Sequence, residues 1–213
     1  MNRLNKSLRP YLVSYSVILV VSLMLQLIYS QQEIFLFINQ NHSLFFDFLF
    51  RWGTYLGDGV FFSVVIFLLL FLSYRNALLG LITFLSTSLV AQLLKRFVFD
   101  DHSRPYAVLK DAHDLIIPDG ITPLFNNSFP SGHTTTAFAL STFLLLILSG
   151  KVHWSILLFL ACLVGFSRIY LTHHFPVDVW AGSLIGVAGS VLLFWWLSAI
   201  FDKKFGNRSI LNR

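Results

Sequence analysis

Apolar residues run almost unbroken through six stretches of the chain, 11–29, 59–74, 77–94, 133–149, 153–171 and 177–200. Each approaches the ~20 residues that carry a helix across a bilayer, so the pattern predicts about six transmembrane helices, the second being the shortest. Between the first two runs, segment 31–52 interleaves the apolar stretches 34–38 and 44–50 with polar residues. That mixture predicts helix lying in the membrane interface rather than a seventh crossing. The first run follows Arg3, Lys6 and Arg9, as the core of a signal peptide does. It is longer than a signal's apolar region, and Ile28-Tyr29-Ser30 is a poor cleavage site, so an uncleaved first span is expected. The chain carries no internal repeat or low-complexity tract, and residues 1–213 are expected to form a single membrane domain.

Composition agrees with this pattern. Hydrophobic residues make up 56% of the 213, charged residues 12%, and the mean hydropathy is +0.72. The expected fold class is all-α, a polytopic membrane bundle. A net charge of +5 and a pI near 9.5 raise the question of nucleic acid, but the placement of the charges answers it differently. With the N-terminus in the cytoplasm, Arg3, Lys6, Arg9, Arg75, Lys151, Lys203, Lys204, Arg208 and Arg213 all fall on the inner side, nine of the fifteen basic residues. This is the positive-inside bias of a plasma (inner) membrane protein with both termini cytoplasmic, and no nucleic-acid partner is expected. Nine of the ten acids fall outside, Asp202 being the exception. Trp52 and Trp180 then sit at outer ends and Trp154, Trp195 and Trp196 at inner ends, where amphipathic rings belong. Cys162 falls mid-span, which leaves no intramolecular disulfide and reads as a buried small hydrophobe.

This topology gathers three polar clusters on the outer, periplasmic or extracellular, face. They are Lys95-Arg96 with Arg104-Pro105, then Phe129-Pro130-Ser131-Gly132-His133, then the stretch from Ser167-Arg168 through His174 to Asp178. Ionisable groups at the ends of apolar segments are costly to keep and mark function. In order and content the clusters resemble the signature K-x6-R-P, P-S-G-H, S-R-x5-H-x3-D of the type 2 phosphatidic acid phosphatase superfamily, which includes membrane lipid phosphatases, soluble acid phosphatases and vanadium haloperoxidases. The second and third parts match without gaps. The first departs, with eight residues between Lys95 and Arg104, as a short insertion at 99–103 would produce; the spacing leaves both Lys95 and Arg96 as candidates.

The resemblance implies an integral membrane phosphatase acting on a lipid phosphate or diphosphate at the outer face through a phosphohistidine, with its catalytic motifs within 95–178. Undecaprenyl pyrophosphate, phosphatidylglycerol phosphate and phosphatidate are the implied substrates, and a chain with little beyond the bundle favours the first. His174 would be the nucleophile, and Asp178 would fix its tautomer. Pro176 suits a first helical turn, which places Asp178 in helix and His174 in loop. His133 would be the general acid and then the base. Lys95, Arg104 and Arg168 would bind phosphate, with Ser131 as helix N-cap and Gly132 allowing close approach of the backbone.

Nothing in this chemistry requires a metal or another cofactor, and two arginines and a lysine around His133, His174 and Asp178 would repel a cation such as zinc. The rival readings are a non-catalytic lipid-phosphate binding or transport protein, which has no use for a paired His174 and Asp178, and a vanadate-dependent haloperoxidase, whose relatives are soluble. His42, His102, His113, His153 and His173 read as polar groups at the water boundary. Gly182, Gly186 and Gly189, with Ala181 and Ser183, form a small-residue stripe suited to close packing within the bundle, with homodimerisation the lesser reading; oligomeric state stays open. Asp100, Asp101, Asp111, Asp114 and Asp119 form an acidic outer loop with a turn at Pro118-Asp119-Gly120, either a solvated face or a lid over the headgroup.

Overall fold

The computed structural model describes residues 2–111, 115–148, 150–205 and 208–211, with side chains from residue 6 onward. His113, Asp114, Ser149 and Arg213, and the side chain of Arg3, lie outside these. The helices are α1 (Asn2–Ile28), α2 (Gln31–Asn39), α3 (Leu44–Gly53), α4 (Gly59–Leu72), α5 (Tyr74–Leu93), α6 (Pro105–Leu109), α7 (Gly132–Leu148), α8 (Trp154–Tyr170) and α9 (Pro176–Phe205). A 3-10 turn, Thr54–Gly57, precedes α4, and a π-helical turn, Leu94–Val98, extends α5. Among the described residues there is no strand, and the fold is an all-helical membrane bundle.

Every apolar run of the sequence lies largely within a helix, but the helices differ in reach. Lys6–Ile28, Tyr74–Val98 and Pro176–Phe205 are each long and apolar enough to cross a membrane. Residues 44–57 and Gly59–Leu72 reach that length only together, bent by 52°. The stretch 44–50 that the hydropathy pattern set in the interface is therefore the first limb of a bent pair, and the short second run is its other limb. Helices α7 and α8 are 17 residues each, about 25 Å of rise. Helix α2, nine residues, begins with a capping box in which the Ser30 side chain accepts from Glu33 N and Glu33 Oε2 accepts from Ser30 N.

Helix α7 is the hub, packed on α5, α8 and α9. The small-residue stripe of α9 is used inside the bundle. A Cβ on Gly182 would lie 2.6 Å from the Ser131 carbonyl oxygen, one on Gly186 2.6 Å from that of Thr135, and one on Gly189 2.6 Å from Thr87 of α5. Glycine lets the α9 backbone approach the backbone at Ser131 and Thr135, and the Thr87 side chain, this closely. Ser190 Oγ reinforces the contact, donating to Ala139 O at 3.0 Å. Helix α1 adds two buried phenols: Tyr11 bonds Ser141 and Thr142 of α7, and Tyr15 bonds Ser183 of α9. Cys162 is a half-buried free thiol. These contacts bring the same ends of α5, α7, α8 and α9 together, where the polar clusters sit.

Candidate functional site

The π-helical turn decides which side chain of the first cluster faces inward. Phe99 N donates to Leu94 O, five residues back, and the widened turn leaves Lys95 only 9% exposed while Arg96 is exposed. Lys95 lies close enough to Arg104, Asp178 and Arg168 to feel their charges. Of the extra residues at 99–103, Phe99 and His102 are tied to the site while 100–103 stay solvent-exposed. Phe99, His102 and Phe129 form a three-ring cluster with centroids 4.6 to 5.7 Å apart, and His102 O accepts from Ser128 N at 2.9 Å.

Arg104 precedes α6, and Pro105 at the first position of that short helix fixes its entry. Its guanidinium is held by three carbonyl oxygens, donating from Nε to Asn126 at 2.9 Å, from Nη2 to Asn127 at 3.3 Å and from Nη1 to His173 at 3.0 Å. Nη1 also stands 3.4 Å from His174 Nε2. A fork held on that many fixed acceptors is preorganised for an anion.

His174 and Asp178 are both buried, 2% and 1% exposed. His174 lies in the loop before α9 and Asp178 in its first turn, as Pro176 at the helix start requires. His174 Nδ1 is 3.1 Å from Asp178 Oδ2, which also accepts from Phe175 N at 3.0 Å and from the Ser128 hydroxyl at 2.5 Å. Burial, followed by the charges of Arg104, Arg168 and Lys95, holds the His174 imidazole well below its usual pKa. The ring is therefore neutral, with Nδ1–H donating to Asp178 and the lone pair on Nε2 turned toward the Arg104 guanidinium.

The turn carrying His174 is clamped from outside. Thr172 has a positive φ of 63°, and the fully buried amide of Asn39, at the end of α2, donates to Thr172 Oγ1 and Ile116 O and accepts from Ile116 N. Arg168 O accepts from both His173 N and His174 N. His173, read from sequence as an ordinary interfacial histidine, is half-buried in the same cluster. Burial and the adjacent Arg168 push its pKa far down.

Arg168 is 6% exposed; Nη1 donates to Thr54 Oγ1 at 2.8 Å, and its buried Nε has no partner among the described residues. Ser131 is fully buried at the start of α7, its Oγ accepting from Thr134 N and Thr134 Oγ1, and its own amide donating to Asp178 O. At Gly132 a Cβ would meet open space. His133 is half-exposed, with Nε2 3.9 Å from Asp58 Oδ2. Lys95, Arg104, Ser131, Gly132, His133, Arg168, His174 and Asp178 are thus drawn from one end of four long helices and the 99–105 segment. Three cations around one carboxylate and a helix N-terminus suit a phosphate-sized anion. Among the described residues no three metal-ligating side chains converge. The sequence motifs omitted Ser128, whose only signal is its place two residues before Pro130, and the segment from Thr54 to Asp58, far away along the chain.

The PAP2 superfamily pattern matches residues 75–202, which include all three clusters. The chain belongs to the PAP2 superfamily. Among relatives, this PAP2 chain is 38% identical over 108 residues to the bacitracin transport permease protein BcrC of Bacillus licheniformis, covering 50% of each chain. It is 42% identical over 67 residues to the undecaprenyl-diphosphatase BcrC of Bacillus subtilis strain 168, covering 32% of this chain and 34% of that one. The matches thus span half or less of the length of these relatives. The crystal structure of Aquifex aeolicus LpxE superposes with a TM-score of 0.66 at 29% identity, covering 76% of this chain and 93% of that one.

Proposed function

We propose that the protein is a lipid phosphate phosphatase working through a phosphohistidine on His174, with undecaprenyl diphosphate as its preferred substrate. One observation carries the reading: His174 Nδ1 is engaged by Asp178 at 3.1 Å while Nε2 sits 3.4 Å from the Arg104 guanidinium, so the nucleophilic nitrogen opens on the cations that would hold phosphate. Lys95, Arg104, Arg168 and the amides at the start of α7 bind the equatorial oxygens. His174 Nε2 attacks phosphorus, the bond to the leaving oxygen breaks, and His133 gives that oxygen its proton. His133, now neutral, takes a proton from water; the hydroxyl bonds to phosphorus, the phosphorus–nitrogen bond breaks, and inorganic phosphate leaves. In the first step the positive charge developing on the His174 ring is stabilised by the Asp178 carboxylate.

A binding or transport protein would need Arg104 and Arg168 but not a buried His174 whose far nitrogen is held by Asp178 and Ser128. The diphosphate preference rests on the similarity to the relative named undecaprenyl-diphosphatase. In this reading the chain acts as one membrane domain with its site on the outer face and both termini in the cytoplasm. The test is phosphate release from undecaprenyl diphosphate, phosphatidylglycerol phosphate and phosphatidate in detergent, with a chelator present. Fastest turnover of the first supports the proposal; turnover of none of them sinks it.

A further inference from the structure

The bend between α3 and α4 brings residues 54–58, which lie outside the superfamily-matched region, against two members of the site. The 3-10 turn Thr54–Gly57 is wedged against the first turn of α7: a Cβ on Gly57 would lie 2.6 Å from His133 O and 2.6 Å from Val164 of α8. Glycine is what allows this approach. From the wedge two side chains point at different partners. Thr54, 8% exposed, accepts from Arg168 Nη1 at 2.8 Å, the one side-chain hydrogen bond made by that buried guanidinium among the described residues. Asp58 divides its carboxylate. Oδ1 accepts from Val60 N at 2.8 Å as the N-cap of α4, while Oδ2 stands 3.9 Å from His133 Nε2. The same carboxylate acts electrostatically on Arg168.

We infer that Thr54 and Asp58 are positioning residues of the phosphate site, Thr54 fixing the Arg168 fork and Asp58 supporting the protonated form of His133. The inference rests on the phosphatase reading above and adds residues that the three motifs do not contain. An arginine with several rotatable bonds presents a fixed fork only when part of it is tied down, and Thr54 ties it at Nη1. His133 is otherwise surrounded by positive or neutral groups: Arg168 from α8, Lys95 from the π-helical turn, Arg104 before α6, and His173 and His174 from the loop before α9. Asp178 is engaged by His174 and Ser128. Asp58 is thus the carboxylate that approaches His133, and it opposes the surrounding cations in favour of the protonated form that a general acid requires.

Two substitutions separate this role from a structural one. Thr54→Val keeps the shape and removes the hydroxyl, and Thr54→Ser restores it. Asp58→Asn keeps a side chain that caps helices well while removing the charge. The full-length protein in detergent is assayed by calorimetry for binding of inorganic phosphate and by the pH profile of kcat/KM on the lipid phosphate it turns over fastest. Thr54→Val should weaken phosphate binding about tenfold, as loss of a bond to a charged group does, with Thr54→Ser near wild type. Asp58→Asn should bind phosphate no more weakly than wild type, melt at the same temperature, and move the alkaline limb of kcat/KM down by at least about 0.5 pH unit. Wild-type phosphate affinity in Thr54→Val, together with an unmoved alkaline limb in Asp58→Asn, overturns the inference. Protein that binds phosphate but hydrolyses no lipid phosphate defeats the phosphatase reading instead, and the Thr54 arm still decides this one.

Discussion

The Ser128 hydroxyl donates to Asp178 Oδ2 at 2.5 Å, on the same oxygen that receives His174 Nδ1 at 3.1 Å. A residue outside every motif therefore helps fix the carboxylate that orients the proposed nucleophile. Ser128 is in turn held by its amide on His102 O, within the inserted segment that widens the first motif. Replacing Ser128 with alanine leaves a buried carboxylate one donor short, a loss of about 1–3 kcal/mol in comparable buried sites. The expected outcome is a fall in kcat of roughly tenfold or more with little change in KM, measured by steady-state phosphate release. A KM effect alone would place Ser128 in substrate binding instead.

Lys95 and Arg96 are neighbours with opposite surroundings, one buried beside the phosphate cluster and the other exposed. Lys95→Ala should lower kcat/KM by roughly a hundredfold, in line with removal of a fixed charge from a transition-state clamp. Arg96→Ala should change it by less than about twofold, since an exposed cation contributes little. Assaying both on one lipid diphosphate checks the assignment, and equal effects would contradict it.

These two pairs also show what was legible from sequence. The apolar runs were enough to locate the long helices, three of which reach spanning length alone and a fourth only as a bent pair, and the polar clusters between them mark the candidate site. Hydropathy does not register the direction of a helical turn, so the π-helical turn that buries Lys95 and exposes Arg96 was invisible. Nor does it register returns of the chain: Thr54 meets Arg168 across 114 residues, and Asn39 reaches Thr172 across 133. The 52° bend after Gly57 has only Gly-Asp-Gly to announce it.

Both histidines of the 173–174 pair have pKa values depressed by burial and by surrounding cations, which fixes a pH dependence. Above the unfolded value of about 6.5 both states hold neutral imidazoles and stability does not change through them. As pH falls through 6.5 the unfolded chain binds protons that the folded chain does not, so stability declines toward the lower folded values. Melting temperature in detergent should therefore drop between pH 6.5 and 5, and less steeply in His173→Asn. The nucleophile itself should stay available: at pH 6 a free imidazole would be about one-quarter neutral. Phosphoenzyme formation measured in a single turnover should keep most of its pH 7 rate there.

The proposed mechanism passes through a covalent bond between phosphorus and His174 Nε2. The most direct measurement is rapid acid-free quenching of wild type and His174→Ala with a lipid diphosphate labelled on its terminal phosphate, followed by mass analysis of the peptide spanning residues 169–180. Wild type should carry an acid-labile phosphoryl group on His174 that forms and decays at rates compatible with turnover, and His174→Ala should carry none and lose activity by roughly 10⁴-fold or more. Label on another residue, or His174→Ala with wild-type turnover, would contradict the account.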